Sequence, residues 1–175
     1  MMVSRINLNA DLGEAFGVWQ MGNDSELLRV VGAANIACGF HAGDPLVMRR
    51  TVRQALAAGV SLGAHPSFPD LQGFGRRVMR LPAAELEAML IYQIGALDGI
   101  ARAEGGRLTH VKPHGALNNM ACEETDLATS VASAIASYDP SLILLAPALS
   151  ELAAAGAGAG QRVAHARRVG RPQIL

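Results

Sequence analysis

Lysine is all but missing from this chain: of its 15 lysines and arginines, only Lys112 is a lysine. Generic surface charge is therefore left to arginine, and a lone compact ammonium is a candidate for chemistry, since the two side chains are not interchangeable. Net charge is missing as well, with 15 acidic against 15 basic residues. A neutral chain without a basic stripe offers no electrostatic reason to expect nucleic acid or an anionic membrane as partner. No charged leader followed by a long apolar run opens the sequence, so neither a signal peptide nor a spanning helix is expected, and the expected location is cytoplasmic. Cysteine is scarce: Cys38 and Cys122 match no zinc or redox spacing and are expected to be free thiols. The G-x-x-x-x-G-K-[ST] loop is absent too, which excludes a conventional P-loop. What is present is globular: 175 residues, half of them apolar, enough for one domain with a real core.

Periodicity predicts alternating strands and helices. Residues 4–11 alternate apolar and polar, placing Asn7, Asn9 and Asp11 on one face of a first strand. A helix over about 24–32 and a strand over Ala33–Cys38 follow, then a helix from Pro45 to Ala58 stopped by Gly59. Val60–His65 reads as the third strand and 66–77 as a long loop. The longest helix is expected over about 82–104, strand four over Arg107–Lys112, a helix over about 123–137, strand five over Ser141–Ala146 and a short helix over about 148–155. Gly156–Gly160 alternates with alanine, has no strand in front of it, and reads as fraying or linker. Arg162–His165 resembles one more strand. This order predicts a parallel α/β sheet with crossover helices, either doubly wound or a barrel. Polar residues near the carboxyl ends of several strands favour the barrel, whose mouth is built that way.

Those strand ends collect Asn7, Asn9, Asp11 and Glu14, then His41 and Asp44, then His65, then His110, Lys112 and His114. A strand over 109–114 would send His110, Lys112 and His114 to one side. Four of the five histidines fall in this set. Carboxylates with imidazoles suit a divalent-metal site, and equally a metal-free acid/base site. The loop Gly73-Phe74-Gly75-Arg76-Arg77 offers amides and guanidinium groups to a carboxylate or phosphate.

Five segments carry a family resemblance: Asn9-Ala10-Asp11-Leu12-Gly13-Glu14, the stretch Ala34 to Asp44, Gly63-Ala64-His65-Pro66-Ser67, Gly73 to Arg77, and His110 to Leu117. In this order, over residues 5 to about 165, they resemble the 5-oxoprolinase A-subunit family, also called the LamB/YcsF lactam-utilisation family. The resemblance implies a (β/α) barrel related to the TIM barrel, of the polysaccharide-deacetylase type. It implies ATP-dependent opening of 5-oxoproline to L-glutamate, with ATP as cofactor and the B and C subunits of 5-oxoprolinase as partners. Residue chemistry, rather than the family, supplies the expected roles. Asp11, His41 and His65 are the metal-binding or acid/base cluster, and Lys112, His110 and His114 stabilise developing negative charge. Glu14 is the candidate general base, Arg77 the clamp for the substrate carboxylate, and Asn9 a substrate contact.

Family members continue past the end of this chain, and residues 166–175 fit neither a strand nor an amphipathic helix. The expectation is one barrel-like domain over 1–165 with an aberrant tail, truncated or frame-shifted. An open sheet edge would then favour homo-oligomerisation, partial disorder or inactivity. Two other functions suit the same residues: a metal-dependent deacetylase or amidohydrolase that needs no ATP, and a non-catalytic component that binds substrate or partner chains.

Overall fold

Strand and helix alternate along residues 7–167, which the computed structural model describes. The strands are β1 (Asn9–Leu12), β2 (Ala33–Ala37), β3 (Ser61–His65), β4 (Leu108–Val111), β5 (Ile143–Pro147) and β6 (Val163–Ala166), all parallel and ordered in space as in the chain. The helices are α1 (Asp24–Leu27), α2 (Pro45–Ala57), α3 (Ala83–Ala103), α4 (Gly115–Ala121), α5 (Thr125–Tyr138) and α6 (Glu151–Gly158). Crossovers between parallel strands are right-handed, so an order with no reversal puts successive helices on the same face. The helices do form one outer layer, α2 against α3, α3 against α5 and α5 against α6. A doubly wound sheet would reverse at a switch point. The fold is α/β and barrel-like, an arc of six strands among the described residues.

Alternation along the strands separates the two faces. Leu12, Ile36, Ala64, Val111 and Leu144 pair in register across five strands and join the core beneath the helices. Residues one step away, including Asp11, Asn35, Gly63 and His110, point to the concave face. The core-facing side of α3 repeats at Leu86, Leu90, Ile94, Leu97 and Ala101, all buried. Replacing Leu90, which is fully buried, by alanine is expected to cost about 2–5 kcal/mol in urea unfolding. A loss below about 1 kcal/mol would mean that α3 is not a principal cover of the sheet.

Local chemistry explains the boundaries and the departures from them. Pro45 opens α2, and the Asp44 carboxylate caps it by accepting from the amides of Leu46 (2.8 Å) and Val47 (3.0 Å). The helix expected over 24–32 is one turn, because Val30-Val31-Gly32 is a poor continuation. Conversely, α4 has no counterpart among the expected elements. Its two asparagines hide a helix whose Ala116, Leu117, Met120 and Ala121 are buried. α6 runs through Gly156 rather than fraying before it. A Cβ at Gly156 would lie 2.6 Å from a Leu144 methyl, so glycine lets the helix lie close on β5. Residues 4–6 of the expected first strand and 168–175 of the tail lie outside the described residues, while Ala166 ends β6. Among the described residues no helix is long and apolar enough to cross a membrane.

Candidate active site

Register builds the floor of the site. Asp11 pairs with Asn35, Asn35 with Gly63, and Gly63 with His110, giving one row across β1 to β4. Glycine is required in that row: a Cβ at Gly63 would lie 2.0 Å from His110 Nε2. The imidazole therefore reaches over β3 to Asn35 on β2, 3.0 Å away. Asn35 donates both amide hydrogens outward, to Asn9 Oδ1 and Asp11 Oδ1, each at 2.8 Å. Its oxygen must then accept, so His110 carries its proton on Nε2, and Nδ1 meets the Thr109 hydroxyl at 2.8 Å. Burial, with the neighbouring His65 and Lys112, pushes the His110 pKa down to about 4, consistent with this neutral form.

The next layer stands at the carboxyl ends of the strands, where barrels carry their chemistry. Lys112 donates to Asp11 Oδ1 at 2.6 Å. Burial opposes the Asp11 charge, but His65 and Lys112 outweigh it and hold the carboxyl well below the usual range. Asp11 is thus a permanent anion, a counter-ion to the ammonium and a poor proton acceptor.

Above this pair, two backbone carbonyls decide the tautomers of two buried histidines. His65 Nδ1 lies 2.5 Å from the Lys112 carbonyl oxygen and His114 Nε2 lies 2.8 Å from that of Phe74. A carbonyl only accepts, so both nitrogens are donors. The remaining nitrogens, His65 Nε2 and His114 Nδ1, face each other at 3.0 Å. Glu14 Oε1 lies 3.4 Å from His114 Nδ1, 3.9 Å from His65 Nε2 and 3.0 Å from Nε2 of His41. Single atoms of Glu14, His41, His65 and His114 all lie within 4.8 Å of one another. Lone pairs and a carboxylate aimed at one point call for a positive species between them, a proton or a metal ion. Burial drives the pKa of both His41 and His114 down to about 3. Both imidazoles are neutral at physiological pH, each with a single N–H.

The family model described as LamB/YcsF matches residues 6–171. The chain belongs to the LamB/YcsF family. It is similar to proteins named as the A subunit of 5-oxoprolinase. The one from Azoarcus sp. (strain BH72) is 72% identical over 160 residues, covering 91% of this chain and 62% of that protein. The one from Methylococcus capsulatus (strain ATCC 33009 / NCIMB 11132 / Bath) is 58% identical over 163 residues, covering 93% and 63%. A lactam utilization protein from Thermus thermophilus, solved by crystallography, superposes with a TM-score of 0.90 at 46% identity, covering 91% of this chain and 65% of that one. The chain thus spans just under two thirds of the length of the relatives it matches.

In this LamB/YcsF member the residues singled out from sequence sort into three groups. Glu14, His41, His65 and His114 meet, with Asp11 and Lys112 beside them. The carboxylate inside the cluster is Glu14, whereas Asp11, expected as a ligand, is engaged by Lys112 and Asn35. His110 and Asn9 lie in the floor, bonded to Asn35, so His110 has no free donor for an oxyanion. Arg77 is turned away onto Asp70, to which its Nε donates at 2.7 Å. Asp44 caps α2 and accepts from the Gly17 amide at 2.7 Å. The Cys38 thiol donates to the Ile36 carbonyl, and burial pushes it up to about 12, which removes it as a nucleophile. Sequence reasoning missed Asn35 as a site residue, although a lone amide inside the buried run Ala33–Ala37 is a signal that could have found it.

The buried histidines make stability acid-sensitive. Unfolded imidazoles protonate near 6.5, but His41, His110 and His114 in the fold wait until about 3 to 4. Between those values the unfolded chain binds more protons, so stability falls as pH drops from about 6.5 to 4. Glu14 and Asp24, whose pKa values burial raises, act in the opposite sense but are two groups against three. Urea midpoints should decline through this window, and His110→Gln should flatten the decline. A midpoint indifferent to pH across it would contradict the neutral assignment.

Proposed function

We propose that this chain is the lactam-opening component of a cytoplasmic 5-oxoprolinase, converting 5-oxoproline to L-glutamate together with the B and C subunits. The observation that carries this reading is the convergence of four donor atoms, from Glu14, His41, His65 and His114, beside the ion pair of Asp11 and Lys112. A divalent cation held by the four would supply Lewis-acid polarisation of the lactam carbonyl or a more acidic water. The chain's own residues do the rest. Lys112 spends one of its three N–H donors on Asp11 and turns the others to the oxyanion that forms when water adds to the carbonyl carbon. Asp11 holds that ammonium in place. Glu14, raised by burial, takes the water's proton and returns it to the ring nitrogen as the C–N bond breaks, so that the nitrogen leaves as the amine.

Among the described residues, neither glycine-rich segment is free to cradle ATP. The 73–77 loop is folded onto Asp70, and Gly156 and Gly158 lie within α6. Use of the nucleotide belongs to the whole assembly. That arrangement, together with the donor cluster, favours one second reading: a metal-dependent amidohydrolase that needs no ATP. L-glutamate release from 5-oxoproline, measured with and without ATP and with and without candidate B and C subunits, separates the two. Release only in the complete mixture supports the first reading. Release by the chain and a divalent metal alone supports the second, and none under any condition removes both.

A further inference from the structure

The loop that closes over the cluster is held from behind by a buried carboxylate. Asp70 has a side chain only 1% exposed, and it accepts from the amides of Gly73 (2.9 Å) and Arg77 (3.2 Å) and from the Arg77 guanidinium, Nε at 2.7 Å. Its own carbonyl accepts from the Gly75 amide at 2.8 Å. Around this hub the chain turns sharply. Phe74 takes a left-handed backbone (φ 55°), a conformation that residues bearing a side chain adopt only where their surroundings hold them in it. Gly75 follows at φ 65°, its missing Cβ leaving room for Ser67 Oγ, 2.1 Å from where that atom would lie, and for His41 and His114 at 2.9 Å.

The turn brings two parts of Phe74 to bear on the cluster. Its carbonyl oxygen accepts from His114 Nε2, and its ring stands edge-on to His41 and His114, centroids 5.4 and 5.1 Å away. Those two imidazoles are stacked at 3.8 Å. Without that carbonyl, His114 has a better neutral arrangement: a proton on Nδ1, donated across 3.0 Å to the lone pair of His65 Nε2. Such an N–H···N bond would satisfy both rings and close the donor cluster on itself.

We infer that Asp70 and Arg77 are positioning residues which lock the 70–77 loop so that the Phe74 carbonyl keeps the His114 proton on Nε2, leaving Nδ1 open toward Glu14 and His65. This gives Arg77 a task other than the substrate clamp that its sequence motif suggests. The inference rests on reading Glu14, His41, His65 and His114 as a cation site.

Long-range proton–nitrogen spectra of ¹⁵N-histidine-labelled protein, recorded without metal at neutral pH, read the tautomer directly. The wild type should show His114 as the Nε2–H form. Asp70→Asn and Arg77→Met should shift His114 toward Nδ1–H and leave the His110 signals in place, while Arg77→Lys should restore part of the wild-type pattern. Because the Arg77 side chain is mostly exposed, Arg77→Met decides the matter if Asp70→Asn does not fold. In parallel, Co²⁺ should bind both variants about ten- to a hundredfold more weakly, the usual effect of removing a group that orients a metal ligand. A His114 tautomer unchanged in the variants that fold, or already Nδ1–H in the wild type, would overturn the inference. Failure of the cation reading looks different: Co²⁺ would not bind the wild type, while the tautomer would still shift.

Discussion

Replacing Lys112 by methionine is expected to lower the proposed turnover of 5-oxoproline by about a hundred- to a thousandfold while leaving the fold and any assembly with partner chains intact. That magnitude is typical for removing one donor aimed at a developing oxyanion. The side chain is 25% exposed, and its ammonium reaches across from the end of β4 to Asp11 on β1 at 2.6 Å, so it stands at the open rim rather than in the core. Methionine fills similar space without charge or donors, and among the described residues Asp11 then keeps the Asn35 amide as its side-chain hydrogen-bond donor. The Asp11 pKa should rise accordingly. Arginine should rescue little, since a planar fork cannot replace a compact ammonium between Asp11 and a small substrate. Loss of turnover with unchanged association in a reconstituted complex would also dispose of a purely binding role. Unchanged turnover would remove Lys112 from the chemistry.

Glu14→Gln should have the larger effect on cation binding, because it deletes the only anionic donor of the cluster while conserving shape. An affinity loss of more than about a hundredfold is expected, beyond what second-layer partners of a metal ligand contribute. Stability reports the same event. A cation at about one hundred times its Kd should add about 2.7 kcal/mol to the wild type, by mass action on the folded state alone. The variant should gain less than about 0.4 kcal/mol at the same concentration. Without cation, Glu14→Gln should unfold no more easily than wild type, since it removes a carboxylate that burial disfavours. Equal stabilisation of both proteins by the cation would place the binding site elsewhere.

Much of this site is legible in the sequence because strand ends are legible. Alternation puts Asp11 on one face of β1, the break into proline and glycine places His65 at the end of β3, and Lys112-Pro113-His114 marks the end of β4. Parallel order then brings such ends to one rim whatever the detailed angles. Register, by contrast, cannot be read from periodicity. Nothing local says that Gly63 lies between Asn35 and His110, so periodicity sends the His110 ring to the rim when it lies in the floor. The choice between Asp11 and Glu14 as the clustered carboxylate depends on the turn at Gly13 and on which anion Lys112 reaches. Arg77 is misplaced by its motif for a similar reason: its partner Asp70 is close in sequence, but only the folded loop shows that the carboxylate is buried and committed. The short α4 escapes because Asn118 and Asn119 lower helix propensity, whereas tertiary burial of Leu117 and Met120 overrides it.

Calorimetric titration of a divalent cation such as Zn²⁺ into chelator-treated protein, compared between the wild type and a variant carrying both His65→Ala and His114→Ala, is the most direct test. The wild type should take up one ion per chain and the double variant none at the same concentrations, with both proteins folded by circular dichroism. A wild type that binds no cation, or a double variant that binds it as well, would contradict the account.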